Sequence, residues 1–370
     1  VNSRETFLRE KYLRRHPAPE IPRLAQFTRV VVIPAWNELT ALPATLDALQ
    51  QAGKPSPVAT LVVVNFPPDG DAAESLATIE YLQARQAADE SLFYLYLPAL
   101  ESGVGAARKS GMDAFLRAKN HTALADDWIF SLDADTRVSA DYFCRSEEAF
   151  QLHPEVSAWT FPYHHTVENL PDEPAVRRYE AYLARYVEKL AAARSPYAIS
   201  TVGSAFCVNL AAYLKAGGMK VRQAGEDFYF LCELVKTGRV QMLDGKATVY
   251  PSGRVSGRTP FGTGKAIENL LAGKELNEIC DAAFDELAAV LKLSADPALR
   301  AAPQSWMAKL PCSARQFLEA EKFPATWQKV LQNTPDDEKS VQRAFHLWFD
   351  GLKTLRYLHF AKSMRGSAAI

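Results

Sequence analysis

The sequence predicts an α/β fold, a mostly parallel sheet flanked by helices and followed by a C-terminal helical appendage. Strand-sized apolar runs alternate with stretches of helical spacing through the first third of the chain. Strand followed by helix, repeated, builds a parallel sheet covered on both faces. From Ala266 onward the pattern is mostly helical, with breaks near residues 295–303 and at Pro311, Pro324 and Pro335. The chain is thus expected to divide into an N-terminal helical extension (1–28), a catalytic α/β domain (29–265) and a helical C-terminal region (266–370).

Taken in order, Val1 to Arg15 alternates charge with Phe7, Leu8, Tyr12 and Leu13, which predicts a short helix and lacks the apolar core of a signal peptide. Val30 to Ile33, Leu61 to Val64, Leu92 to Leu97 and Trp128 to Leu132 are long enough for strands and too short for helices. Helices are expected between them, on Leu42, Leu46 and Leu49, on Leu76, Ile79 and Leu82, and over Ala106 to Leu116. Val156 to Tyr163 predicts a further strand. Glu173 to Arg194 predicts a long helix whose stripe (Val176, Tyr179, Leu183, Tyr186, Leu190) is core rather than a sugar-stacking platform. A small-residue segment, Ser200 to Met219, precedes a helix over Ala224 to Val235, a short strand at Ala247 to Tyr250 and a Gly- and Arg-rich loop, Ser252 to Lys265. The aromatic and basic clusters at 345–349 and 356–360 leave a packed terminal helix, or a peripheral membrane or partner surface, as alternatives.

Composition bounds the partners. Lys plus Arg number 42 and Asp plus Glu 43, a formal net charge of -1, so no global basic field is available for nucleic acid. A hydrophobic fraction of 48% with 23% charged residues marks a soluble globular protein. No window approaches the roughly 18 apolar residues of a membrane span. The 5 cysteines contain no C-x-x-C pair, which argues against a disulfide framework or a cysteine zinc site and for a cytoplasmic setting.

Ligands of open α/β sheets bind beyond the carboxyl ends of the strands, so the residues that follow each run carry the chemistry. The most informative segment is Leu132-Asp133-Ala134-Asp135-Thr136. Carboxylates at i and i+2 of an extended run point to one side of the chain and can share a cation or a phosphate-bearing ligand. Oxygen donors of this kind suit Mg2+ or Mn2+. The first run ends in Pro34-Ala35-Trp36-Asn37-Glu38, with no G-x-G-x-x-G to mark a dinucleotide site. After the third come Gly103, Gly105, Arg108, Lys109 and Gly111, and much later Gly225-Glu226-Asp227-Phe228, a carboxylate pair at a helix start.

This order of motifs resembles the family 2 glycosyltransferases, which have the GT-A fold, over about Arg29 to Lys265. The resemblance implies an inverting transfer from a nucleotide-diphosphate sugar to an acceptor hydroxyl. Pro34, Ala35, Asn37 and Glu38 would then line the nucleotide pocket, with Arg108 close to it. Asp133 would lie near the ribose or diphosphate and share the metal, Asp135 would ligate the metal, and Asp227 would be the general base beside Glu226. Where many members carry an acidic cluster after the second strand, this chain has Asn65, which leaves the base of the nucleotide open.

Arg254, Arg258 and Lys265 concentrate cations among glycines in a loop that could close over a diphosphate. A P-loop is excluded, because Thr259 stands where the first glycine belongs and Ala266 follows Lys265. His164 and His165 have no partner at ligand spacing, Trp36 and Trp159 are expected in the core, and Gly203-Ser204 falls on the acceptor side only through the resemblance. Two other readings compete: a haloacid-dehalogenase-like phosphohydrolase using Asp133 and Asp135 (D-x-D-x-T), and a non-catalytic sugar-nucleotide binder.

Overall fold

The structure, a computed structural model, describes residues 3–68, 70, 72–98, 100, 103–119, 123–167, 173–222, 225–245, 247–255 and 262–367. The chain divides into two units, Val1–Glu180 with Ser200–Lys274, and Ala181–Ile199 with Glu275–Ile370.

In the first unit, α1 (Ser3–Arg15) precedes β1 (Arg29–Ala35), α2 (Leu42–Gln51), β2 (Val58–Asn65), α3 (Ala73–Gln86), β3 (Leu92–Leu97), α4 (Gly103–Ala118) and β4 (Trp128–Ser131). β3, β2, β1 and β4 lie side by side and parallel. Every residue of β1 and β2 is buried, as in strands covered on both faces, which explains their near-continuous valine and isoleucine. Because β1, β2 and β4 run the same way, the residues after Ala35, Asn65 and Ser131 emerge along one edge of the sheet.

The unit continues through β5 (Arg137–Val138), α5 (Tyr142–Leu152), β6 (Val156–Thr160), α6 (Glu173–Ala192), β7 (Phe206–Asn209), α7 (Leu210–Lys215), α8 (Glu226–Thr237), β8 (Arg239–Met242), β9 (Val249–Tyr250) and α9 (Thr263–Leu271). The completed sheet has the order β3-β2-β1-β4-β7-β6-β8, with β7 antiparallel to both neighbours; β5 and β9 form a separate ribbon. The expected α/β fold with a mostly parallel sheet is therefore observed, with details corrected. β6 stops at Thr160 rather than Tyr163, just before Pro162, which has no N–H for a ladder. α8 starts at Glu226, because Gly225 takes a left-handed conformation at φ 70.

Gly111, three residues after Arg108, is explained by close approach. A Cβ at Gly111 would lie 2.6 Å from Val32 Cγ1 and 3.0 Å from Val63 Cγ2, so α4 rests directly on β1 and β2. α1 is fastened to the same region by a polar cluster: Tyr12 and Tyr213 donate to Asp113 Oδ1 at 2.8 and 2.6 Å, and Lys109 Nζ donates to Asp113 Oδ2 at 2.5 Å.

At the end of α4, Lys119 is 1% exposed and pairs with Asp127, also 1% exposed, at 2.9 Å, while donating to the carbonyls of Ala25 and Phe27. Removing one partner of a buried pair strands the other charge, at a cost of about 3–5 kcal/mol. Lys119→Met is therefore expected to lower unfolding free energy by about that amount in urea titration, and the double variant Lys119→Met/Asp127→Leu to recover most of it.

In the second unit the end of α6 is grouped with α10 (Asp281–Leu293), α11 (Ala298–Ala301), α12 (Pro303–Ala308), α13 (Cys312–Ala320), α14 (Phe323–Gln332), α15 (Glu338–Trp348) and α16 (Gly351–Ser367). Trp306 and Trp327 are fully buried and donate their indole N–H groups to Leu293 O and Leu299 O at 2.7 and 2.9 Å. Phe345, Phe349, Tyr357 and Leu358 are buried in the same core, so the two aromatic clusters mainly build packing. Pro324 marks the expected break between α13 and α14, sitting in the first turn of α14 where no donor is lost. Among the described residues no helix is long and apolar enough to cross a membrane.

Candidate active site

The residues after β1, β4 and β9 and the start of α8 converge in the first unit. β4 pairs with β1 so that Ser131 stands opposite Val32; two residues later Asp133 emerges at the sheet edge, and Asp135 follows. Asp133 is 40% exposed at its side chain and Asp135 17%. After β1, Asn37 turns the chain with φ 53, a left-handed conformation that asparagine tolerates, and this brings Glu38 inward to 6% exposure.

Two arginines hold these carboxylates. Arg254, from the segment after β9, donates from Nη2 to both carboxylate oxygens of Glu38 and from Nε to Asp135 Oδ2 at 3.1 Å. Arg108, from α4, donates from Nη2 to Asp133 Oδ1 at 2.5 Å and from Nη1 to Gly203 O at 2.9 Å, with Glu226 Oε1 at 3.8 Å from Nη1. Ser131, not singled out by sequence, also donates to Gly203 O, at 2.7 Å. A Cβ on Gly203 would lie 2.5 Å from Arg108 Nη1 and 3.1 Å from Asp227 Oδ2. Gly203 thus abuts both the guanidinium and the carboxyl of Asp227.

Glu226 is buried and Asp227 half-buried. Burial pushes the Asp227 carboxyl up to about 7, helped by the neighbouring Glu226 charge and more weakly by Asp133; Arg108 and the Phe228 N–H, which donates to Asp227 Oδ1 at 2.7 Å, act in the opposite sense. A carboxyl that exchanges its proton near neutrality, partly open to solvent, is suited to general base chemistry.

The other sequence-predicted residues fall out as follows. Pro34, Ala35 and Asn65 are buried at the carboxyl ends of β1 and β2, and Asn37 is exposed beside them. Lys265 lies on α9 and pairs with Glu268 Oε2 at 2.8 Å; among the described residues it is not brought to the carboxylates. Arg258 lies outside the described residues. His165 is 2% exposed and its Nδ1 lies 2.9 Å from Glu180. Burial alone would raise the Glu180 carboxyl, but hydrogen bonds from the His165 ring and backbone and from Arg177 bring it down to about 2, so this pair is a structural tie. Trp159 is buried.

Residues 30–216 match the family model described as Glycosyl transferase family 2. No curated protein matches the chain. Among solved structures, S. aureus TarS (residues 1–349) in complex with UDP-GlcNAc is 14% identical with a TM-score of 0.47, covering 79% of this chain and 86% of that one. Mannosyltransferase PcManGT from Pyrobaculum calidifontis, in complex with GDP-Man and Mn2+, is 13% identical with a TM-score of 0.42, covering 68% of this chain and 65% of that one.

Proposed function

Because the chain belongs to glycosyl transferase family 2, whose model matches just over half of its 370 residues, and therefore transfers a sugar from a nucleotide-sugar donor, we propose that Asp227 is the general base of an inverting transfer to an acceptor hydroxyl. Residues 29–265, the span expected from the sequence, would carry it, with 1–28 and 266–370 as additions. The observation that carries this reading is the placement of a half-buried carboxyl, raised to about 7, beside Gly203 and the Arg108–Asp133 pair at the edge of the sheet. One base and one displacement at the anomeric carbon give inversion. Glu226, buried against Asp227, keeps it basic by like-charge repulsion.

A divalent cation fits the donor set on the other side of the site. Asp135 and Glu38 already close on one guanidinium, so their oxygens are arranged around positive charge. Among the described residues no three Asp, Glu, His or Cys side chains are grouped so that they could hold a metal ion by themselves, so Asp135, with Asp133, would hold Mn2+ or Mg2+ only together with diphosphate and water oxygens, as such ions are held at phosphates. Bound there, the ion would offset charge on the leaving diphosphate as a Lewis acid. Pro34, Ala35, Asn37, Glu38 and Asn65 would border the nucleotide, and Arg254, Arg258 and Lys265 the diphosphate. The 5 free cysteines suit a reducing, cytoplasmic compartment. No observation favours the phosphohydrolase reading, since Asp133, its nucleophile, is held by Arg108.

A thermal-shift panel of UDP-, GDP- and dTDP-sugars with Mn2+ tests the donor assignment, because a ligand of the native state raises apparent stability by mass action. No shift with any of them, and no transfer, would remove the reading. The pH dependence follows from the same carboxyl. The base acts as carboxylate, so kcat/KM for the free enzyme should rise about tenfold per pH unit on the acid side and level off above about 7. Glu226→Gln removes the repelling charge and should move that limb to lower pH; a limb that stays in place would reject Glu226 as its cause.

A further inference from the structure

We propose that Arg108 is a positioning residue that ties the donor-side carboxylate Asp133 to the base-side pair Glu226 and Asp227, so that both halves of the reaction centre share one geometry; the proposal rests on the transferase reading above. The side chain is 2% exposed. Both of its Nη nitrogens are engaged by the protein, at 2.5 Å to Asp133 and 2.9 Å to Gly203 O, and Glu226 lies 3.8 Å away. A side chain so enclosed presents no surface to a nucleotide, and the direct donor contact implied by motif order gives way to an indirect role.

The chemistry of the guanidinium explains why one residue can do this. It stays charged at any pH the protein survives, and its N–H groups diverge in a plane, so it can hold partners on several segments at once. Its partners come from the end of β4, the loop before β7 and the start of α8. Gly203 makes the fit tight: a Cβ there would lie 2.5 Å from Nη1 and 3.1 Å from Asp227 Oδ2, so the guanidinium and the base close on the same α-carbon. Ser131 Oγ, donating to Gly203 O at 2.7 Å, fixes that loop from below. Without the guanidinium, Asp133, Glu226 and Asp227 would repel one another and the base would lose its setting.

The test compares Arg108→Met and Arg108→Lys with wild type by steady-state transfer from whichever sugar nucleotide of the UDP-, GDP- and dTDP-panel the wild type uses, with circular dichroism to confirm folding. Displacing a reacting group by about 1 Å costs about 100-fold, so Arg108→Met should lower kcat by about that factor while the donor KM stays within about threefold. Arg108→Lys keeps the charge without the fork and should recover part of the loss, leaving kcat about tenfold below wild type. A raised donor KM with unchanged kcat would mean direct donor contact and overturn the proposal. So would a lowered Tm with both constants unchanged, which is the mark of a purely structural role. If Arg108→Met does not fold, Arg108→Lys decides by the same split. A wild type that transfers from no member of the panel would overturn the transferase reading and this proposal together.

Discussion

Replacing Asp227 with Asn should lower the rate of sugar transfer by about 10²–10⁴-fold while donor binding persists. Asparagine keeps the shape of the side chain and an Oδ1 that can still accept from the Phe228 N–H, now at 2.7 Å, so the start of α8 is preserved and only proton abstraction is lost. The same substitution should stabilise the protein at neutral pH. Asp227 titrates near 4 in an unfolded chain and at about 7 in the folded one. Between those values the native state binds the extra proton, so stability contributed by this group falls as pH rises through the interval and the full penalty stands above about 7. An uncharged Asn carries no such penalty. Thermal scans should show Asp227→Asn melting above wild type at pH 8, with the difference vanishing near pH 4. Turnover equal to wild type would end the base assignment, and a lower Tm at pH 8 would reject the stated cause of the raised carboxyl.

Much of this was legible in the sequence, and what was not has a physical reason. β1, β2 and β4 announce themselves because a strand buried on both faces must be apolar along its length. β7, Phe206–Asn209, lies within the small-residue segment 200–219, and β8, Arg239–Met242, is only partly buried and half polar, so neither stands out as an apolar run. Asp133, Asp135 and Asp227 were visible as acidic pairs at strand and helix ends. Their partners were not: Arg254 and Glu38 are 216 residues apart, and no local pattern encodes a contact made by the closing of the fold. Arg108 drew notice as a cation beside glycines, but only its burial shows that it serves other side chains. Lys265 went the other way, since a glutamate 3 residues on offers a nearer partner on α9.

Removing the Asp135 carboxylate should abolish Mn2+-dependent donor binding, weakening it by at least about 100-fold, since loss even of groups that merely support metal ligands costs 10–100-fold. Asp135→Ala also leaves Arg254 with Glu38 as its described carboxylate partner. The converse substitution separates attraction from competition. Arg254 lies on Asp135 at 3.0–3.1 Å and on Glu38, so a guanidinium occupies carboxylates that a cation would need. Its side chain is 34% exposed, so one side of it faces solvent. Arg254→Gln should therefore raise the affinity of the donor-free protein for Mn2+, read by electron paramagnetic resonance of the free ion, while lowering affinity for the nucleotide sugar. An Mn2+ titration unchanged by Asp135→Ala would remove the metal assignment. One unchanged by Arg254→Gln would show that the guanidinium and the ion do not compete, and that the arginine faces the carboxylates for stability alone.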